Sequence, residues 1–258
     1  MEQIGLLHDG QIYDLQTAEA LNIKGDIIKA DDSKESLEIL RHSCAHMMAQ
    51  AIKELYPEAK FFVGPVVKEG FYYDFKVESK ISDEDLPTIE KKMKEIADRK
   101  LPITRHETTK EEFYEKFKND ELKQAVLKNI KDDTLTIYKQ GDFEDLCRGP
   151  HLPNTRMIRS FKLTRVAGAY LGGDEKNEMI TRIYGIAFFD KQALFDYSKM
   201  IEEAKKRDHR KLGTELELFT FNDDVGAGLP MWLPNGARLE ENLSISYTNH
   251  TELEVMNP

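Results

Sequence analysis

The stretch from Asp32 to Pro57 restricts the fold more than any other. Asp32-x-x-Glu35 has the form of a capping box, and the helical pattern it opens stops before Pro57. At 3.6 residues per turn, Leu37, Leu40, Cys44, Met47, Met48, Ala51 and Leu55 fall on one stripe. Cys44 on that stripe reads as a buried packing residue. His42 and His46 share a face one turn apart, roughly opposite the stripe. Their neighbours Ile39, Ala45 and Ala49 are small or apolar, so this second face also predicts a covering layer rather than solvent.

A second pair comes much later, in Cys147-Arg148-Gly149-Pro150-His151. Pro150 pushes Gly149 out of the helical region, so the segment predicts a turn that points side chains inward. One thiolate and three imidazoles are a set that zinc accepts in tetrahedral geometry. The same set could instead hold a water and shuttle protons for ester hydrolysis. Either pair alone is weak evidence; together they indicate a site and leave its metal content open.

Several classes are excluded by composition. No run of eighteen apolar residues exists, and the N-terminus lacks the basic-then-apolar layout of a signal peptide. Two cysteines, one core-like and one in the site, make no disulfide framework, so the reading is a reduced, cytoplasmic protein. A net charge of −10 argues against binding DNA or RNA over the whole surface. The distribution differs locally. From Cys147 to Gly173 there is no Asp or Glu, while Arg148, Arg156, Arg159, Lys162 and Arg165 are present. Such a window beside the site suits an anionic ligand such as a nucleic-acid end, or an edge strand blunted by charge. Lys205-Lys206-Arg207-Asp208-His209-Arg210-Lys211 is a second basic run, at a helix end.

Taken in order, Asp9-Gly10 predicts a hairpin turn within residues 1–30. After the histidine helix, residues 61–67 and 71–77 read as strands joined by Lys68-Glu69-Gly70. Alternation puts Tyr72 on the opposite face from Phe71 and Tyr73. Ser82-x-x-Asp85 caps a helix to about Arg99 with Leu86, Ile89, Met93 and Ile96 on its apolar side. A third helix spans 110–119, and Lys123 follows in a mixed segment where, by itself, it reads as a surface lysine. Strands are predicted at 134–138, 160–171 and 179–189, the last two separated by Gly172-Gly173-Asp174. A long helix covers 190–211, with Leu194, Met200, Ile201 and Ala204 on one side. Beyond Gly213 the texture changes to a loop rich in Gly and Pro around Trp232, which places a boundary near 212. No Walker A pattern or Rossmann glycine fingerprint occurs.

These residues carry a resemblance. The pairs His42/His46 and Cys147/His151, with Arg41-His42-Ser43-Cys44-Ala45-His46, Gly64-Pro65 and Phe71-Tyr72-Tyr73-Asp74, resemble the editing domain of the bacterial threonyl-tRNA synthetases. Gly168-Ala169-Tyr170, Arg182-Ile183-Tyr184-Gly185 and Arg207-Asp208-His209-Arg210-Lys211-Leu212-Gly213 extend the match over essentially the whole chain. The resemblance implies an α+β fold, an antiparallel sheet with packed helices, followed by the start of a class II catalytic domain. It implies a remnant of a β-grasp-like module at 1–30, an editing domain at 31–190, a linker helix at 191–211 and a truncated catalytic start at 212–258.

The activity implied is hydrolysis of serine wrongly attached to threonine tRNA. Implied catalytic residues are His42, His46, Lys123, Asp145, Cys147 and His151, with Tyr73, Arg148 and Arg156 toward the substrate. His42, His46, Cys147 and His151 hold zinc in the related alanyl domains; in the threonyl family a water-based site without an obligatory metal is expected. ATP and a catalytic-core zinc belong to the full-length enzyme, as does the dimer surface. The implied partner is the 3′ end of threonine tRNA, not DNA and not a membrane. Val255-Met256-Asn257-Pro258 resembles the close of the first class II motif, so a truncated synthetase or a free-standing editing protein is expected. A zinc-stabilised tRNA-binding module without catalysis is the alternative.

Overall fold

The computed structural model describes residues 1–128, 130–131, 133–221, 226 and 229–243. Gly228 and the readings made above on 244–258 lie outside the described residues. The chain divides into two compact units, Met1–Leu194 and Phe195–Pro258.

The first unit opens with β1 (Gln3–His8), β2 (Gln11–Asp14), α1 (Leu15–Ala20) and β3 (Asp26–Lys29), the strands forming an antiparallel sheet in the order β2-β1-β3. Asp9 and Gly10 take φ of 48° and 76°, the left-handed pair that a two-residue hairpin of this twist needs. Next come α2 (Lys34–Leu55), β4 (Lys60–Phe61), β5 (Val66–Val67), β6 (Gly70–Lys76) and α3 (Leu86–Asp98). They are followed by β7 (Ile103–Thr109), α4 (Lys110–Lys116), α5 (Glu121–Lys128), β8 (Thr134–Gln140) and β9 (Phe143–Leu146). Then β10 (Ser160–Tyr170) and β11 (Met179–Phe188) complete an antiparallel sheet in the order β10-β11-β6-β4, with β5 also on β6. A separate antiparallel sheet runs β7-β8-β9.

Helix α2 is the axis of this unit. It packs on β6 and β11, on α3, and on β1, β3 and β9, so from Ser36 to Ile52 almost every side chain is buried. The apolar stripe and the histidine face are thus both covered, as their composition requires. Its start differs from expectation. The N-cap is Ser33, and Asp32 accepts hydrogen bonds from Phe189 N at 2.7 Å and Asp190 N at 3.3 Å instead. A tertiary pair of donors outcompetes the local cap. By contrast, the capping box at Ser82 and Asp85 forms, and Leu86, Ile89, Met93 and Ile96 are buried.

The strand expected at 61–67 is split. Both pieces pair with β6, but Gly64-Pro65 interrupts the ladder because proline has no N–H to give. Helix α4 stops at Lys116, with Phe117 as its C-cap and its ring 4.5 Å from that of Phe113. Tyr72 faces away from buried Phe71 and Tyr73, as alternation predicts. Asp74 and Arg182 lie opposite in register and pair through two bonds of 2.6 and 2.7 Å, with the guanidinium 3.9 Å from the Tyr72 ring. These motif residues therefore tie β6 to β11.

The long helix expected at 190–211 is two. Helix α6 (Lys191–Lys206) ends before Asp208, which caps α7 (His209–Glu215) by accepting from Arg210 N and Lys211 N. A good N-cap residue inside a helical pattern has restarted the helix. Within the second unit β12 (Phe219–Phe221) pairs antiparallel with β13 (Pro230–Trp232), and residues 234–243 are helical.

Candidate active site

The two predicted pairs meet. Ligand-type atoms of His42, His46, Cys147 and His151 all lie within 4.8 Å of one another. Cys147 Sγ is 3.2 Å from His42 Nε2 and 3.1 Å from His151 Nε2. His42 and His46 come from successive turns of α2, while Cys147 and His151 come from the turn after β9.

That turn is built as the sequence requires. Gly149 takes φ of 78°, and a Cβ there would lie 2.5 Å from Tyr138 Oη and 2.8 Å from Asp14 Oδ2. Its N–H donates to Cys147 Sγ at 3.1 Å. Asp14 holds the turn from outside: its Oδ2 accepts from Tyr138 Oη at 2.6 Å and from His151 N at 3.0 Å. Its Oδ1 meanwhile caps α1 by accepting from Thr17 N at 2.7 Å. The first thirty residues thus form part of the support for the cluster.

Behind the imidazoles lies an ionic group. Lys123 Nζ donates to Asp145 Oδ1, Tyr73 Oη donates to Asp145 Oδ2, and Leu146 N adds a bond of 2.8 Å to Oδ1. His46 Nε2 stands 3.8 Å from Asp145 Oδ2. The side chains of Lys123 and Asp145 are each only 4% exposed. Lys123 is therefore not the surface lysine that its segment suggests. It sits on α5, and the acid that buries it comes from a different strand. Gly64 makes room for the tyrosine, since a Cβ would meet the Tyr73 ring at 2.3 Å.

Burial sets the protonation states. It is the largest influence on His42, pulling it down to about 4, and on His46, pulling it down to about 3 despite nearby Asp145. His151 is driven well below its ordinary value for the same reason. Burial pushes the Cys147 thiol up, and the Gly149 N–H only partly opposes this. For Asp145 burial would raise the carboxyl, but Lys123, His46 and the Tyr73 hydroxyl together hold it below the usual range. At neutral pH the cluster is thus three neutral imidazoles and a thiol beside a carboxylate paired with an ammonium.

Zinc fits this donor set. Bond lengths of 2.0–2.1 Å to nitrogen and 2.3 Å to sulfur at tetrahedral angles place donors roughly 3.6 Å apart. The two S···N separations of 3.1 and 3.2 Å need to open only slightly.

Arg148 is exposed beside the cluster and lines two clefts. One, of about 360 Å³, includes Cys147, Val126, Leu135, Thr136 and Leu146. The other, of about 390 Å³, includes Gln11, Tyr13, Asp14, Glu38 and Gly149. Arg156 lines a different depression with Glu2, Asn154, Met157, Arg159 and Phe189. In the acid-free window, Arg159 pairs with Asp98 at 2.6 Å and Arg165 stacks 4.1 Å over Tyr184, and β10 is a sheet edge.

Sequence reasoning missed Asp14, Ser43 and Tyr138. Asp14 carries a local N-cap signal ahead of Leu15-Gln16-Thr17, but nothing local shows its reach to His151.

The family described as "Threonyl and Alanyl tRNA synthetase second additional domain" matches residues 135–184. This segment holds Asp145, Cys147 and His151. Over nearly the whole chain, similarity extends to proteins named threonine--tRNA ligase. One from Campylobacter jejuni is 65% identical over 96% of this chain and 41% of its own length. One from Nautilia profundicola is 63% identical over 98% of this chain and 42% of its own length. One from Campylobacter lari is 70% identical over 83% of this chain and 35% of its own length. The chain is a homologue of the threonine--tRNA ligases. It spans about two fifths of the length of the first two of these relatives. Its mixed fold of antiparallel sheets with packed helices agrees with the additional-domain type. No helix among the described residues is long and apolar enough to cross a membrane.

Proposed function

We propose that this chain carries an editing site that hydrolyses the ester joining serine to threonine tRNA. The observation that carries the reading is the convergence of three imidazoles and Cys147 in front of the Lys123–Asp145 pair. A water held by the cluster attacks the ester carbonyl carbon and gives its proton to an imidazole. The carbon–oxygen bond to the ribose then breaks, and the ribose oxygen takes a proton. Because burial keeps the Cys147 thiol protonated, the attacking group is water rather than thiolate. Asp145, 3.8 Å from His46 Nε2, favours positive charge developing on that ring, and the Lys123 ammonium behind it steadies developing charge on the ester oxygen or the terminal ribose.

The need for such a site is physical. Serine lacks one methyl relative to threonine, a difference that a synthetic pocket can exploit for only about 1–3 kcal/mol. Arg148, which lines both clefts, is assigned to the tRNA 3′ end. Arg156, in its own depression, would meet the tRNA away from the ester. The ATP-dependent ligase reaction belongs to the remainder of the relatives' length. On this reading 212–258 begins the catalytic domain, the dimer needs that domain, and the protein works in the cytoplasm.

The four-donor geometry supports a second reading, a zinc-stabilised tRNA-binding module. When bound by His42, His46, Cys147 and His151, zinc would supply Lewis acidity or structural closure.

Deacylation of serine-charged and threonine-charged threonine tRNA, with and without chelator, separates the readings. Chelator-resistant release of serine alone is expected, lost in His42→Ala and Lys123→Ala. Release at the wild-type rate by both variants sinks the proposal. Loss of folding on chelation would favour the zinc module.

A further inference from the structure

Ser43 stands between the two histidines of α2, fully buried, and its hydroxyl has three neighbours. Oγ is 2.9 Å from Ile39 O, 2.8 Å from Leu152 N and 3.3 Å from His151 Nδ1. A hydroxyl has one proton and two lone pairs. An oxygen–oxygen contact of 2.9 Å is attractive only with a proton between, and Ile39 O has none, so the Ser43 proton points there. The Leu152 N–H takes one lone pair. What remains for His151 is the second lone pair, which attracts Nδ1 only if Nδ1 carries a hydrogen.

We propose that Ser43 is a positioning residue that fixes His151 in its Nδ1-protonated tautomer, turning the bare Nε2 lone pair toward Cys147 and the cluster. Nε2 lies 3.1 Å from Cys147 Sγ, where a lone pair can take a proton or bind a metal. The opposite tautomer would direct an N–H into the cluster and leave His151 unable to accept there. Asp14 supports the arrangement by holding the His151 backbone N–H at 3.0 Å, so ring and backbone are anchored independently. The catalytic consequence rests on the hydrolytic reading above; the tautomer itself does not.

The test is nitrogen-15 NMR of the histidine-labelled, metal-free full chain at pH 7.5, His151 being assigned by its loss in His151→Gln. Wild type and Ser43→Thr are expected to show Nδ1-protonated His151. Ser43→Ala is expected to shift it toward the Nε2-protonated form, and to slow serine release about 10–100-fold. Wild-type His151 protonated at Nε2 overturns the proposal, whether or not Ser43→Ala folds. So does a folded Ser43→Ala that keeps the wild-type tautomer. If wild type releases no serine but shows the expected tautomers, the hydrolytic reading fails and this assignment stands.

Discussion

Lys123→Met tests the electrostatic core of the site. The substitution keeps most of the side-chain volume but removes the charge that balances Asp145, and both side chains are buried. Breaking a buried pair by deleting one partner costs about 3–5 kcal/mol, because the other charge stays buried and uncompensated. For a unit of this size that corresponds to a loss of about 6–20 °C in melting temperature. The pH dependence makes the test specific. In the wild type Asp145 is held below its ordinary value, so its contribution is present above the unfolded carboxylate pKa and is lost as pH falls through the folded one. Without Lys123, burial, the largest influence on Asp145, outweighs the remaining pull of His46 and the Tyr73 hydroxyl and raises its pKa. The variant then loses stability as pH rises from about 4 toward the raised value. Urea titrations of both proteins in chelator should show a gap that widens from pH 5 to pH 8, reaching the full magnitude at the upper end. Histidine contributions other than that of His46, which Lys123 itself helps to lower, largely cancel in the difference. A gap equal at both pH values, or below about 1 kcal/mol throughout, would mean that Lys123 does not offset the buried Asp145 charge.

Asp14→Ala leaves His151 N and Tyr138 Oη without their charged acceptor and should cost about 1.5–3 kcal/mol. Hydrogen exchange at the His151 amide should accelerate in that variant by more than the change in global stability accounts for. His42 and His46, neutral in the fold and titrating at about 4 and 3, are charged more readily when unfolded. Stability of the metal-free protein should therefore be full above about pH 6.5 and fall toward pH 3–4, read by denaturant titration. Zinc affinity should rise with pH, because the raised Cys147 thiol must lose its proton on binding; calorimetry in two buffers of different ionisation enthalpy would detect the release. Gly149→Ala should destabilise by at least about 1–2 kcal/mol, since an L side chain at φ of 78° is strained even before it meets Tyr138.

The residues that sequence placed together share a feature: their relation is short-range. His42 and His46 are one turn apart on a helix whose apolar surface on both sides demands burial, and Cys147 and His151 flank a Gly-Pro turn. Periodicity and proline stereochemistry act over a few residues, so they can be read from the chain. The Ser82–Asp85 capping box ahead of α3, the Asp9-Gly10 hairpin and the β10–β11 hairpin were legible for the same reason. The misreadings arose where a distant group outbid a local one. Asp32 turned from capping α2 to binding the backbone beyond β11. Lys123, locally an ordinary helix lysine, became buried because Asp145 from β9 lay opposite.

What could be read along the chain was the α2 and α3 helices, the main hairpins, the two pairs of proton-accepting side chains and the family to which they point. Only in the folded chain do the pairs converge, does burial favour neutral imidazoles and a protonated thiol, and do Asp14 and Ser43 bond the turn at His151 and Leu152. The physical reason is desolvation. Whether a histidine, a lysine or a carboxylate keeps its charge depends on what excludes water from it, and those groups come from parts of the chain far apart in sequence.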